Sequence, residues 1–177
     1  MVEMATYSHT HEFHHPWRVV ATAFWDKYPN PSLSHVKDVL VLARHVDGEG
    51  KLHSKRLVCV KQEVPRALRP FIADTRLDTY YALETSCVDP ANQLLHMETR
   101  NVSFSRILDA HSISEYKGST DGKSTVYTTS SLVKCQLYLV RGRVEETLSQ
   151  SSLKNSSKAV GVMEEICRRV AENSKPL

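Results

Sequence analysis

Six β-prone runs follow one another in three pairs, and each pair is joined by a short segment of turn-forming residues. Val36 to Val46 and Leu52 to Lys61 flank Asp47-Gly48-Glu49-Gly50. Leu77 to Val88 and Gln93 to Phe104 flank Asp89-Pro90-Ala91-Asn92. Ile107 to Tyr116 and Thr125 to Val140 flank Gly118-Ser119-Thr120-Asp121-Gly122. Runs of this kind with short connections form hairpins. Hairpins in series build an antiparallel sheet, because parallel neighbours need a crossover of a dozen or more residues. A sheet of this kind has to bury one face against something.

Two helical patterns can cover it. After Pro16, the residues Trp17, Val20, Ala21, Phe24, Trp25 and Tyr28 recur at helical spacing, and Tyr28-Pro29-Asn30-Pro31 ends the run. Arg143 to Glu172 reads as one long helix. Val144 and Leu148 open its apolar stripe, and Ala159, Met163, Ile166, Cys167 and Val170 close it. Between them lies the serine-rich stretch Ser149 to Lys158, which on composition alone is a linker. Leu148, Ser152, Asn155, Ala159 and Met163 keep the phase of the stripe, so the helix either breaks there or faces something polar. Met4 to Phe13 alternates weakly as a strand. The last long strand, through Val133, Cys135, Leu137 and Leu139, is expected to bury that face and to be bulged or bent. The fold class is therefore α+β: about six or seven antiparallel strands, strongly curved and wrapped on a long C-terminal helix, around a cavity. At 177 residues, with 41% hydrophobic and 24% charged residues, the chain is expected to be a single globular domain, residues 1–177.

Gln62 to Thr75 breaks the strand pattern with Pro65 and Pro70, yet carries Val64, Leu68, Phe71 and Ile72. A long loop with this much apolar side chain is expected to be functional or mobile. The net charge of +3 suits an anionic surface and falls short of a nucleic-acid footprint, so no nucleic-acid partner is expected. No apolar run reaches the roughly 18 residues of a membrane span, and the start lacks the pattern of a secretory signal. Cys59, Cys87, Cys135 and Cys167 lie about thirty residues apart among apolar neighbours, which favours buried thiols over a metal knuckle.

One stretch matches a catalytic motif. His11-Glu12-Phe13-His14-His15 satisfies H-E-x-x-H, which binds zinc only when both histidines share a helix face. Pro16 directly after His15 argues against a helix there. A surface histidine cluster is the plainer reading, so neither a catalytic residue nor a metal ligand is assigned. No pairing of nucleophile and base stands out, and an enzyme is not expected. The polar residues in unexpected places are Lys27 at the end of an apolar helix, His35 after the turn, and Ser151, Asn155 and Lys158 on one helix stripe. A cation with neighbouring amide and hydroxyl groups can hold a phosphate.

The residues Phe13, His15-Pro16-Trp17, Lys27-Tyr28-Pro29-Asn30-Pro31, His35-Val36, Gly50-Lys51-Leu52-His53-Ser54, Asn101-Val102-Ser103-Phe104 and Asn155-Ser156-Ser157-Lys158 resemble the PRELI-like family. The branch most similar is the Slowmo, or PRELI-domain-containing protein 3, type, and the likeness spans roughly residues 1–172. The resemblance implies a lipid-transfer fold that shuttles an acidic phospholipid, phosphatidylserine or phosphatidic acid, between the outer and inner mitochondrial membranes. It implies residence in the intermembrane space and a small helical twin-Cys-x9-Cys partner there. The cargo phospholipid would be the only bound group, with no other cofactor. Carried over by position, Lys27, His35, Asn155 and Lys158 contact the headgroup, with Ser151 where some carriers have another lysine. The stretch from Gln62, holding Val64, Pro65, Leu68, Phe71 and Ile72, is the mobile lid. Val60 and Glu63 also stand where phosphatidic acid carriers have lysines. The less cationic cavity favours phosphatidylserine. A ligand-free interaction domain and a zinc-dependent hydrolase at His11 and His15 are the competing readings.

Overall fold

The computed structural model describes residues 5–61, 65–71 and 79–173. Seven strands form one antiparallel sheet: β1 (Ala5–Phe13), β2 (Val36–Val46), β3 (Leu52–Lys61), β4 (Thr79–Asp89), β5 (Leu94–Asn101), β6 (Leu108–Gly118) and β7 (Thr125–Cys135). Their order is β1-β7-β6-β5-β4-β3-β2. The three expected hairpins are therefore present as neighbours. The weak N-terminal strand finds its partner at the far end of the chain, with Ala5 opposite Val133 and Phe13 opposite Thr125. Two helices, α1 (Trp17–Trp25) and α2 (Arg141–Asn173), cover the concave face. No helix among the described residues is long and apolar enough to cross a membrane.

Local chemistry explains the elements. Pro16 sits one residue ahead of α1, where its fixed φ suits the entry and its carbonyl accepts from Val19 and Val20. The buried face of α1 is Trp17, Val20, Ala21, Ala23 and Phe24. Asn30 caps the 3-10 turn Pro31–Leu33 by accepting from the Ser32 amide at 2.9 Å. β3 alternates buried and exposed residues. β2, the edge strand, does not, and leaves Leu40, Val41, Leu42 and Val46 exposed.

The last strand is shorter than its alternation suggests. β7 stops at Cys135, and Leu139 beyond it is 90% exposed rather than buried. The buried Glu145 carboxylate accepts the Cys135 amide at 2.8 Å, and Arg141 donates to the Cys135 carbonyl at 2.9 Å. These side chains capture the backbone groups of the strand end and turn the chain directly into α2.

The serine-rich stretch is helix. α2 runs unbroken for 33 residues, and Thr147, Ser151 and Ser157 donate back to the carbonyls four residues earlier. Its two apolar ends enter separate cores. Val162, Met163, Ile166 and Cys167 join Phe13, Trp17, Phe24 and Leu95 in the larger one. Val144 joins Leu68, Leu108, Val133 and Cys135 in the smaller one. The polar patch spans the gap between them.

Candidate functional site

The gap between the two cores is a cavity of about 230 Å³. The α2 patch contributes Ser152, Asn155 and Ser156, the α1 exit contributes Lys27 and Tyr28, and His35 stands at the start of β2. The sheet supplies hydroxyls, among them Tyr7, Tyr80, Thr99, Ser112 and Ser131. A second space of about 120 Å³ shares Tyr80, Thr99, Ser112 and Ser152 with it and runs toward Val133 in the smaller core. Together they reach only the low end of typical ligand pockets, roughly 300–1,000 Å³, enough for a polar headgroup and not for two acyl chains.

Lys27 dominates the electrostatics. It is 4% exposed, and its Nζ lies 5.0 Å from the centre of the Phe24 ring and 4.8 Å from that of Tyr28. No carboxylate pairs with it among the described residues. A buried ammonium held by ring faces alone is costly unless an anion joins it. The Arg56–Glu84 ion pair lies close by, both side chains 6% exposed, with the Arg56 guanidinium 5.0 Å from the same Phe24 ring. Burial, and then the nearby Lys158, push the His35 pKa below its ordinary 6.5. Burial raises that of Tyr80 to about 12, so its hydroxyl stays protonated as a donor. Tyr7 Oη and Ser156 Oγ are buried without a full hydrogen bond to the chain. Burial raises the Tyr7 pKa above its ordinary 10, and the neighbouring Ser156 hydroxyl offsets this only in part. Hydroxyls beside a lysine that has no carboxylate partner among the described residues form a site suited to polar guests.

The residues singled out in the sequence do not all meet here. Lys27, His35 and Asn155 line the cavity. Lys158 is exposed and stands near His35, at the rim. Ser151 is not on the cavity wall; its hydroxyl donates to the Thr147 carbonyl at 3.0 Å, and Ser152, one position on, faces inward. Of the lid residues, Val64 and Ile72 lie outside the described residues. Pro65 precedes a 3-10 turn, Arg66–Phe71, and Leu68 from that turn is 2% exposed in the smaller core. Phe71 is half exposed. Glu84, Tyr7 and Tyr80 do not stand out as site residues in the sequence; the available signal is a glutamate at an inward position of β4.

His11 and His15 do not share a helix. His11 is on β1 and donates from Nε2 to Glu164 Oε1 of α2 at 2.7 Å, while His15 Nε2 lies 4.0 Å from the other Glu164 oxygen. Among the described residues no group of three His, Cys, Asp or Glu side chains could hold a metal ion. The motif docks α2 onto β1.

The sequence profile of the PRELI-like family matches residues 18–174. The chain belongs to the PRELI-like family. It is 32% identical over 151 residues to the ups1 homolog of Schizosaccharomyces pombe, covering 79% of this chain and 86% of that protein. It is 31% identical over 117 residues to the mitochondrial protein UPS1 of Saccharomyces cerevisiae, covering 66% of each. The Slowmo homolog of Dictyostelium discoideum is 24% identical over 167 residues, 93% of this chain and 72% of its own. Among solved structures, human STARD10 superposes with a TM-score of 0.62 at 16% identity, covering 97% of this chain and 68% of that one. The Zhui aromatase/cyclase from Streptomyces superposes at 0.63 and 15%, covering 94% and 95%. The curved sheet and long C-terminal helix are thus a fold shared with these two structures.

Proposed function

We propose that this protein is a phospholipid carrier, not an enzyme, that moves phosphatidylserine or phosphatidic acid between the two mitochondrial membranes. The observation that carries this is Lys27, buried in a hydroxyl-lined cavity without an acidic partner among the described residues. A phosphate diester there completes the lysine's charge and the free hydroxyls together. His35 and Asn155 line the same space, and Lys158 adds charge at the rim. Relatives named as mitochondrial support the location, which we take to be the intermembrane space. There a small helical twin-Cys-x9-Cys protein is the partner. The net charge of +3 favours docking on an anionic membrane surface. The narrow cavity holds the headgroup; the acyl chains need the space that opens when the turn at Arg66–Phe71 lifts Leu68 from the smaller core. Mass spectrometry of lipids extracted from the purified protein tests this, together with transfer of labelled phospholipid between vesicles. The carrier reading expects a stoichiometric acidic phospholipid and measurable transfer. A lipid-free protein that moves none favours an interaction domain instead.

A further inference from the structure

The anion-binding cavity contains a carboxylate, and anion binding gives it no role. Glu84 on β4 lines the wall and is 4% exposed. Both hydrogen bonds from Arg56, one from Nε at 2.7 Å and one from Nη2, end on Glu84 Oε1. Oε2 accepts nothing from the described residues, and Glu84 stands on the cavity wall. Lys27 and Glu84 line the same cavity, and Lys27 and the Arg56 guanidinium each lie 5.0 Å from the centre of the Phe24 ring. In charge, Arg56 and Glu84 cancel, and Lys27 leaves the interior one net positive charge. A headgroup with a single net negative charge balances that. A bare phosphate monoester, with nearly two, overloads it and is repelled by Glu84.

We propose that Glu84 Oε2 accepts a hydrogen bond from an ammonium group of the lipid headgroup while Lys27 takes its phosphate, so that the cavity selects an anionic phospholipid bearing a primary amine. This rests on the carrier reading above and adds a specificity-determining residue to it. Arg56 aims Glu84 by occupying its other oxygen, as a guanidinium fork holds a carboxylate in one orientation.

The test offers the full chain phosphatidylcholine vesicles carrying phosphatidylserine, phosphatidylglycerol or phosphatidic acid in turn. Phosphatidylglycerol matches the single charge of phosphatidylserine and lacks the amine. Phosphatidylserine should move about ten-fold faster than phosphatidylglycerol, the effect of one charge-assisted contact. Glu84→Gln should bring that ratio to about one while phosphatidylglycerol transfer persists. Where Glu84→Gln strands Arg56 and fails to fold, the double variant R56Q/E84Q removes both charges of the pair and should show the same levelling. Equal transfer of the two lipids by the unaltered protein overturns the amine assignment and leaves the carrier standing. A ratio that survives in the folded variants overturns the role of Glu84. Failure to move any of the three lipids defeats the carrier reading itself.

Discussion

At the residue scale, the site is governed by groups that are expensive in the empty protein. Lys27 holds its charge against two ring faces with no counter-ion among the described residues. Replacing it by a residue of similar length without the charge removes that cost, so Lys27→Met should hold or raise the melting temperature. The same change should cut vesicle-to-vesicle transfer about ten-fold or more, relative to Lys55→Ala on the exposed face. Transfer equal to that control removes Lys27 from the headgroup site. His35 gives a pH signature. Its folded pKa lies below 6.5, first through burial and then through Lys158. Between that lowered value and 6.5 the unfolded chain binds more protons than the folded one, so stability falls as pH drops through this window and is unaffected above it. Melting at about pH 7.5 and about pH 5.5 should show a smaller acid-induced loss in His35→Gln than in the unaltered protein. Bound phosphate should oppose the shift, so added phosphatidylserine should protect more at the lower pH.

At the element scale, α2 shows how a linker-like composition becomes a helix. Val144 and Leu148 at one end and Val162, Met163 and Ile166 at the other are buried or packed on separate cores. Anchored at both ends, the intervening serines gain nothing by unwinding, and their hydroxyls bond their own carbonyls or face the cavity. The end of the β5–β6 pair is tighter. Gly118 donates to the Gln93 carbonyl at 2.9 Å, and a methyl group there would stand 3.1 Å from the Cβ atoms of both Gln93 and Trp17. Gln93 already has a positive φ, and the Trp17 indole is tied to the Tyr116 carbonyl, so neither yields freely. Gly118→Ala should destabilise by about 1–3 kcal/mol through overpacking, read as a lower urea midpoint at unchanged m-value. An unchanged midpoint means that the turn relaxes around the methyl.

At the scale of the whole molecule, two apolar cores with a polar chamber between them divide folding from binding. The larger core joins both helices to the sheet, and the smaller one holds the turn Arg66–Phe71 through Leu68. If that turn is the gate, its opening must cost far less than global unfolding. Joining it to α2 with a short thiol cross-linker in an A67C/L148C variant, with Cys59 and Cys87 changed to serine, should stop lipid transfer and leave the melting transition intact. Normal transfer by the cross-linked protein places the gate elsewhere. Much of this was legible along the chain. Turn residues and alternation specify hairpins, helical phase specifies the α2 stripe, and a proline pair ends α1 near Lys27, because each of these is a local preference acting over a few bonds. The pairing of β1 with β7, the early end of the last strand at Glu145, the choice of Ser152 over Ser151 and the inward aim of Glu84 were decided only in three dimensions. Each depends on which distant group competes for a backbone amide, a helix face or a counter-ion, and that competition exists only once the sheet has closed over α2.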